Sequence, residues 1–216
     1  MNPVRGRLVG FWNNIDKQIL FIIFIKSNII TEIWRFPTSN GMKKHNLAFI
    51  DIETTGLDVI VNEIIEIGVV ITDSDLKIIE EFEIKIKPER IENANPTALK
   101  INHYNEKDWQ GSMTLREAIK ILAEKVKDCI MVGQNVAFDA GFIEHAFSRM
   151  SIDNTMHYHK LDTISIAWAK LHKDPDLEHF SLREMCIRFG IENIKPHSAL
   201  SDARATYELY KKLMSL

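Results

Sequence analysis

The chain has 216 residues, 45% of them hydrophobic, which is enough for one domain with a well-filled core. Its formal net charge of -3 argues against a protein that grips long duplexes by bulk positive charge, because such affinity comes largely from Lys and Arg on phosphates. Cys129 and Cys186 lie far apart, which argues against a disulfide framework or a zinc knuckle and favours two core thiols in a reducing cytoplasm.

Residues 1–41 are expected to form an extension outside the fold. The apolar run at residues 19–25 follows several basic residues and resembles a signal peptide, but Lys26 and Asn28 end it well short of the ~20 apolar residues of a membrane span. No membrane association is therefore expected. Met42 leads directly into a strand, as a natural start would. A helix that binds a partner or an interface is the alternative interpretation of this segment.

The first folded elements are predicted to be strands. Residues 47–53 and 64–72 are rich in β-branched and aromatic side chains, as buried strands are. Phe82, Ile84 and Ile86 then alternate with charged residues, which indicates a strand with one face in water. A turn separates the second and third strands, so they are expected to form a hairpin.

Helical and strand patterns alternate after an irregular connection bracketed by Pro88 and Pro96. The predicted helices are 115–126, 138–150, 163–171, 181–189 and 199–214, and the predicted short strands are 129–132 and 158–161. Ser181 and Glu184 form a capping box at the start of one helix, and Gly190 ends it. This order predicts an α/β fold with a mixed sheet and an amphipathic last helix packed on it.

Two carboxylates end the first strand. Asp51 and Glu53 are two residues apart and therefore project from the same face, whereas Ile52 points to the opposite one. Neighbouring acids in an apolar run are electrostatically costly unless cations compensate them, and carboxylate oxygens suit Mg²⁺ or Mn²⁺. A solvent-exposed strand end is the alternative explanation.

Further candidates lie in two later segments. Asp139 stands where a strand has ended and a helix begins, which is where α/β sheets keep their ligands, although an acid also suits the first turn of any helix. His197 precedes the last helix, and Asp202 lies inside that helix close to its core-facing stripe. A lone histidine before a helix is usually a surface residue.

Together these segments resemble the DEDDh 3′-to-5′ exonucleases, the family of the proofreading subunit of bacterial DNA polymerase III, ribonuclease T and oligoribonuclease. Residues 51–57 (Asp-Ile-Glu-Thr-Thr-Gly-Leu) are similar to the first motif, residues 135–139 to the second, and His197 with four residues before Asp202 to the third. The resemblance covers residues 42–216 and leaves the first 41 unexplained.

The resemblance implies a ribonuclease H-like fold and phosphodiester hydrolysis by two divalent cations, Mg²⁺ or Mn²⁺. It implies that Asp51 bridges both cations, that Glu53 and Asp202 complete the first site, and that Asp139 serves the second. His197 would take the proton from the attacking water. Single-stranded DNA or RNA 3′ ends are the implied substrates.

The same resemblance assigns the terminal nucleotide to residues that follow the metal ligands. Thr54, Thr55 and Gly56 would contact it, and Leu57 would wedge against its base. Ordinary packing is an equal alternative for Leu57. The Thr-Thr pair mildly favours DNA, because oligoribonuclease carries a bulkier Met at the position of Thr54, although ribonuclease T shares the Thr-Thr form.

Other functions stay open at this point. A catalytically silent nucleic-acid-binding module is one alternative, although all four acids and the histidine are present. Trimming of RNA 3′ ends is another.

The chain ends at Leu216, directly after its last predicted helix, without the tail that tethers a proofreading subunit to its polymerase. This favours a stand-alone enzyme, and a homodimer is an open possibility.

Overall fold

The structure is a computed structural model that describes residues 44–216, which form one compact unit. The expectation for residues 1–41 lies outside the described residues. The strands are β1 (Leu47–Thr54), β2 (Ile64–Thr72), β3 (Ile78–Lys85), β4 (Ile130–Gly133) and β5 (Lys160–Asp162). The α-helices are α1 (Pro96–Ile101), α2 (Leu115–Lys125), α3 (Val136–Met150), α4 (Thr163–Leu171), α5 (Leu182–Phe189) and α6 (Ala199–Met214), and a 3₁₀ helix spans Ile91–Asn93.

The five strands form one mixed sheet in the order β3-β2-β1-β4-β5. β1 pairs antiparallel with β2, and β2 with β3, whereas the pairs β1–β4 and β4–β5 are parallel. The predicted hairpin and the predicted α/β class with a mixed sheet are confirmed. β1 is the central strand, so side chains near its C-terminal end can meet residues from both halves of the sheet.

The two faces of the sheet carry separate cores. Ile52 and the other side chains on its face of the sheet pack with α2 and α3 in the larger core. On the opposite face, Phe49 contacts Tyr207 and Tyr210 of α6 edge-on, with ring centroids 5.3 and 5.4 Å apart. α6 therefore lies on the face of β1 that also carries the acids, and the predicted packing of the last helix on the sheet is confirmed.

The connection after β3 differs from the sequence prediction, which placed no helix there. α1 begins at Pro96 and is capped by Asn95, whose side chain accepts a hydrogen bond from the Thr97 amide at 2.8 Å. Asn at the N-cap followed by Pro at the first helical position is a known start signal that the hydrophobic pattern alone does not reveal.

The other elements agree with prediction to within about two residues at each end, except that β3 begins at Ile78, well before the predicted alternation of Phe82, Ile84 and Ile86. The Ser181 hydroxyl caps α5 by accepting from the Glu184 amide, and Gly190 ends the helix in the left-handed conformation with φ 62°. Within residues 44–216, every helix falls short of the length and apolar character that crossing a lipid bilayer requires.

Candidate active site

β1 delivers the first two acids to the side of the sheet covered by α6. Asp51 lies opposite Gly68 of β2, and Glu53 lies opposite Glu66. Directly opposed residues of an antiparallel pair share a face, so all four lie on one side of the sheet. Asp51 is partly buried and Glu53 is buried, with 8% of its surface exposed.

Asp139 reaches the same place from the first turn of α3. The parallel pairing of β1 with β4 ends at Phe49, so the amide of Ile52 is left without a partner in β4. The Asp139 Oδ1 atom accepts the hydrogen bond of this amide at 3.0 Å. Because Ile52 lies between Asp51 and Glu53, the bond fixes the Asp139 carboxylate beside the acids of β1.

The last two predicted residues come from the start of α6. Asp202 is buried, and its Oδ2 atom accepts a hydrogen bond from the His197 backbone amide at 3.1 Å. Its Oδ1 atom accepts from Nδ2 of Asn193 at 2.5 Å. His197 is exposed and adopts the left-handed backbone conformation with φ 62°. One ligand atom each from Glu53, His197 and Asp202 lies within 4.8 Å of the others.

The start of α6 is itself fixed to β2. Glu66 Oε1 accepts a hydrogen bond from the Ala199 amide at 2.8 Å and a longer one from the Ser198 hydroxyl at 3.4 Å. Ser198 is the N-cap residue but caps no amide with its own side chain. A residue of the sheet thus satisfies an amide of the helix N-terminus that would otherwise be unpaired.

The carboxyl groups of this cluster have raised pKa values, because they are buried close to one another. Burial raises the pKa of Asp51 well above its usual range, and the charges of Asp139, Asp202 and Glu53 raise it further. Burial, followed by repulsion from Asp202, raises the pKa of Glu53 to about 8. Burial also raises the pKa of Asp139 to about 7 and, to a lesser extent, that of Asp202. Several carboxylates that resist ionisation together are a suitable donor set for divalent cations.

The structure therefore brings all five predicted catalytic and metal-binding residues into one cluster. Asp51, Glu53, Asp139 and Asp202 are close enough for their charges to interact, and His197 lies beside Glu53 and Asp202. Their proximity is a finding, whereas their individual roles stay predictions.

The four predicted substrate-binding residues lie where β1 ends: Thr54 is its last residue, and Thr55, Gly56 and Leu57 begin the loop after it. The Thr54 hydroxyl donates to the Gly56 carbonyl at 2.6 Å, and the Thr55 hydroxyl accepts from the Glu63 amide at 2.9 Å. Both threonine hydroxyls thus shape the loop. Leu57 is 84% exposed, so it is not part of the core and is free to meet a ligand. Contact of these residues with a nucleotide stays a prediction.

Three residues that support the site have no role in the sequence-based prediction. Glu66 and Asn193 hold α6 and Asp202, and Asn102 Nδ2 donates to the Thr54 carbonyl at 2.8 Å. Glu66 follows the first motif in the run Ile64-Ile65-Glu66, and a single acid within an otherwise apolar strand was the signal available. Nothing local in the sequence marks Asn193 or Asn102.

Comparison with known proteins identifies the family. The RNase_T family model, described as exonuclease, matches residues 48–210, a range that includes all five clustered residues. The chain belongs to this exonuclease family. The predicted membership of a 3′-to-5′ exonuclease family is thereby confirmed.

The curated relatives of this exonuclease chain are much longer proteins. DNA polymerase III PolC-type from Caldanaerobacter subterraneus is 30% identical over 166 residues, which cover 76% of this chain and 11% of that protein. The corresponding protein of Bacillus subtilis is 26% identical over 173 residues, covering 80% and 12%. The chain therefore matches about a tenth of the length of these relatives.

Solved structures show the fold of the exonuclease domain. The structure of exonuclease I has a TM-score of 0.71 with 20% identity, and the match covers 80% of this chain and 41% of that one. E. coli exonuclease I in complex with a dA16 oligonucleotide has a TM-score of 0.69 with 21% identity and the same coverage. The predicted ribonuclease H-like sheet flanked by helices is confirmed.

Proposed function

We propose that this chain hydrolyses single-stranded DNA from its 3′ end, releasing one nucleotide at a time with the help of two divalent cations, Mg²⁺ or Mn²⁺. The observation that carries the proposal is the convergence of Asp51, Glu53, Asp139, Asp202 and His197 on one face of the sheet. Family membership supports the reaction class. Exonuclease I, whose fold this chain shares, has been crystallised with DNA oligonucleotides, which supports DNA as the substrate.

The carboxylates would hold the cations. Asp51 would bind both, Glu53 and Asp202 would complete one site, and Asp139 would serve the other. When bound, two divalent cations supply charge neutralisation at the phosphate and a more acidic water. Asp139 and Asp202 already accept backbone amides, which fix each carboxylate in place and leave oxygen lone pairs for a ligand.

His197 would act as the general base. Its backbone amide is tied to Asp202, so the position of the residue depends on a proposed metal ligand, while its side chain is exposed. The imidazole would take a proton from the attacking water as the water oxygen bonds to phosphorus. In the same step, the bond from phosphorus to the 3′ oxygen of the penultimate nucleotide would break. The products are a nucleoside 5′-monophosphate and a strand shortened by one.

We also propose that residues 42–216 are the catalytic domain and that residues 1–41 are dispensable for it. A cytoplasmic location is supported by Cys129 and Cys186, which are both buried and free, as expected in a reducing compartment. A role in DNA replication and repair is supported by the likeness to PolC-type polymerases. A homodimer and RNA trimming stay predictions.

The test compares 5′-labelled single-stranded DNA, duplex DNA with 3′ overhangs and RNA of the same sequence. Stepwise shortening of single-stranded DNA with Mg²⁺ or Mn²⁺ and none with EDTA is expected. His197→Ala should lose at least 100-fold in kcat, as loss of a general base typically costs, while calorimetry still detects metal binding. Cleavage that persists with EDTA contradicts the metal mechanism, and a preference for RNA moves the enzyme to the RNA-trimming class.

A further inference from the structure

A groove of about 540 Å³ is lined by residues that follow β3, and no residue of the acidic cluster lines it. Its lining combines aromatic, apolar and charged side chains: Lys87, Ile91, Tyr104, Glu106, Lys107 and Trp109. This volume is within the range of known small-ligand sites. The mixture of aromatic rings and lysines is typical of surfaces that bind single-stranded nucleic acid.

The sheet relates the acids to Lys85, which contacts the groove residue Trp109. Glu53 lies opposite Glu66 on β2, and Glu66 lies opposite Lys85 on β3, so the three side chains share one face. Two strand spacings of about 4.8 Å separate Glu53 from Lys85, or roughly 10 Å. The Lys85 Nζ atom lies 4.2 Å from the centroid of the Trp109 ring, at the wall of the groove.

The two aromatic side chains of the groove, Tyr104 and Trp109, are held in position by contacts with the sheet and with each other. Trp109 is buried, and its Nε1 atom donates to the Ile65 carbonyl at the start of β2 at 2.9 Å. The Tyr104 ring lies against it with centroids 5.0 Å apart and is partly exposed. Tyr104 is therefore a supported aromatic surface that faces the groove, which is what a stacked base requires.

The charges of the groove favour a polyanion. Lys87 and Lys107 are exposed, and among residues 44–216 neither forms an ion pair with a carboxylate. Glu106 is the one acid of the lining, and the two lysines outnumber it. The neighbouring catalytic cluster is strongly acidic and repels every phosphate that cations do not neutralise. A strand entering that cluster therefore needs cationic side chains close by, and this groove supplies them.

We propose that the groove binds the single-stranded substrate upstream of the scissile bond, with one base stacked on Tyr104 and phosphates beside Lys87 and Lys107. This inference rests on the proposed function and adds where the DNA upstream of the cleaved bond lies on the protein. A dinucleotide occupies only the acidic cluster, because the groove lies beyond Lys85, whose backbone is itself roughly 10 Å from that of Glu53, whereas a longer strand reaches both. The groove thus acts on KM for long substrates and leaves the chemical step unchanged.

The first test compares kcat and KM for dT2 and dT12. The double variant Lys87→Gln/Lys107→Gln should raise KM for dT12 about 10-fold, leave kcat unchanged and leave dT2 unaffected. The slope of log KM against log salt concentration should fall by about 1.4, since each phosphate contact on a single strand contributes about 0.7. Lys120→Gln is the matched control, because Lys120 lies on α2, which packs on the opposite face of the sheet.

The second test locates the stacked base. A single abasic site is moved through positions 2 to 6 from the 3′ end of dT12, and binding is followed by fluorescence anisotropy in a His197→Ala background. One position should weaken binding about 5- to 10-fold, and Tyr104→Leu should remove that dependence whereas Tyr104→Phe should keep it. The dependence of binding on the position of the abasic site should therefore disappear only in the variant that lacks an aromatic ring at residue 104.

The outcomes separate the two proposals. If the wild-type chain cleaves neither dT2 nor dT12, the proposed function fails, and the anisotropy series still decides whether the groove binds DNA. If both are cleaved and the lysine variant changes neither KM, or changes both equally, the groove is not a strand-binding site. An abasic effect that survives in Tyr104→Leu likewise overturns the assignment of the stacking surface.

Discussion

Gly68 lies directly opposite Asp51 in the β1–β2 ladder, and the backbone of α6 occupies the space that a side chain at Gly68 would fill. A Cβ atom built at Gly68 would lie 2.1 Å from the carbonyl carbon of Ala199 and equally close to the amide nitrogen of Leu200. The absence of a side chain on β2 therefore allows the helix that carries Asp202 to approach the strand that carries Asp51.

Gly68→Ala is expected to reduce activity at least 10-fold and to lower the melting temperature by several degrees. The start of α6 must move away from the sheet to admit the methyl group, and His197 and Asp202 move with it. Overpacking of this kind costs about 1–3 kcal/mol, and a displacement of about 1 Å at a reacting group can cost 100-fold in rate. Steady-state kinetics and differential scanning fluorimetry measure the two effects.

Gly141→Ala is the matched control for this prediction. Gly141 lies within α3, and a Cβ added there meets nothing within 4 Å. Alanine in a helix interior is more favourable than glycine by about 0.5–1 kcal/mol, so this variant should be as active as the wild type and slightly more stable. Equal behaviour of the two variants would show that the close approach at Gly68 is unimportant.

Glu66→Ala is expected to lower kcat about 10-fold or more while KM changes little. The variant leaves the buried Ala199 amide without an acceptor, at a cost of about 1–3 kcal/mol in stability, and frees the start of α6. Glu66→Gln retains an acceptor oxygen in the same place and should recover most of the activity. If the glutamine and alanine variants are equally impaired, the carboxylate acts in another way than by holding the helix.

The five residues of the acidic cluster could be predicted from the sequence because three short segments together resemble the motifs of an exonuclease family, and within two of these segments the spacing is local. Asp51 and Glu53 share a face through the two-residue period of a strand, and the interval from His197 to Asp202 spans a single helix start. The residues that hold this arrangement could not be predicted in the same way. Glu66 meets Ala199 across 133 positions of sequence, and such a contact leaves no periodic trace.

The helix α1 was missed for a different physical reason. It has six residues and no buried side chain, so hydrophobic periodicity carries no information about it. Its start signal lies in the Asn95-Pro96 pair alone. The left-handed backbone at His197 was also beyond prediction, because it follows from the hydrogen bond of its amide to Asp202, which forms only in the folded chain.

Deletion of residues 1–41 is expected to leave a folded enzyme with kcat and KM within about twofold of the full chain. The shortened protein would keep the contacts that the first described residues make within residues 44–216, including the ion pair of Lys44 with Asp75 at 3.2 Å and the Asn46 carbonyl that accepts the Ile130 amide. The family match begins at residue 48, after the deletion point. Circular dichroism and the cleavage assay test this expectation, and an insoluble or inactive product would show that the segment belongs to the fold.

The stability of the metal-free protein is expected to fall as pH rises from 5.5 to 8.5. The folded-state pKa values of Glu53, about 8, and Asp139, about 7, lie above their ordinary values, so these carboxyls bind protons more tightly in the folded state. Their stabilising contribution is complete below about pH 4 and is lost as pH rises through about 7 to 8. Between pH 5.5 and 8.5 the melting temperature is expected to fall by roughly 5–10 °C, which corresponds to about 2–3 kcal/mol of unfolding free energy for a chain of this size.

Divalent cations should reverse this trend, because they bind the ionised carboxylates. With 10 mM Mg²⁺ or Mn²⁺ the gain in melting temperature should be small at pH 5.5 and several degrees at pH 8.5, and metal binding should release protons in calorimetry. Glu53→Gln removes one of the repelling charges, so the metal-free variant should be more stable than the wild type at pH 8.5 and should respond less to metal. A metal-free melting temperature that rises with pH over this interval would mean that the acids of the cluster are not held together in the folded chain.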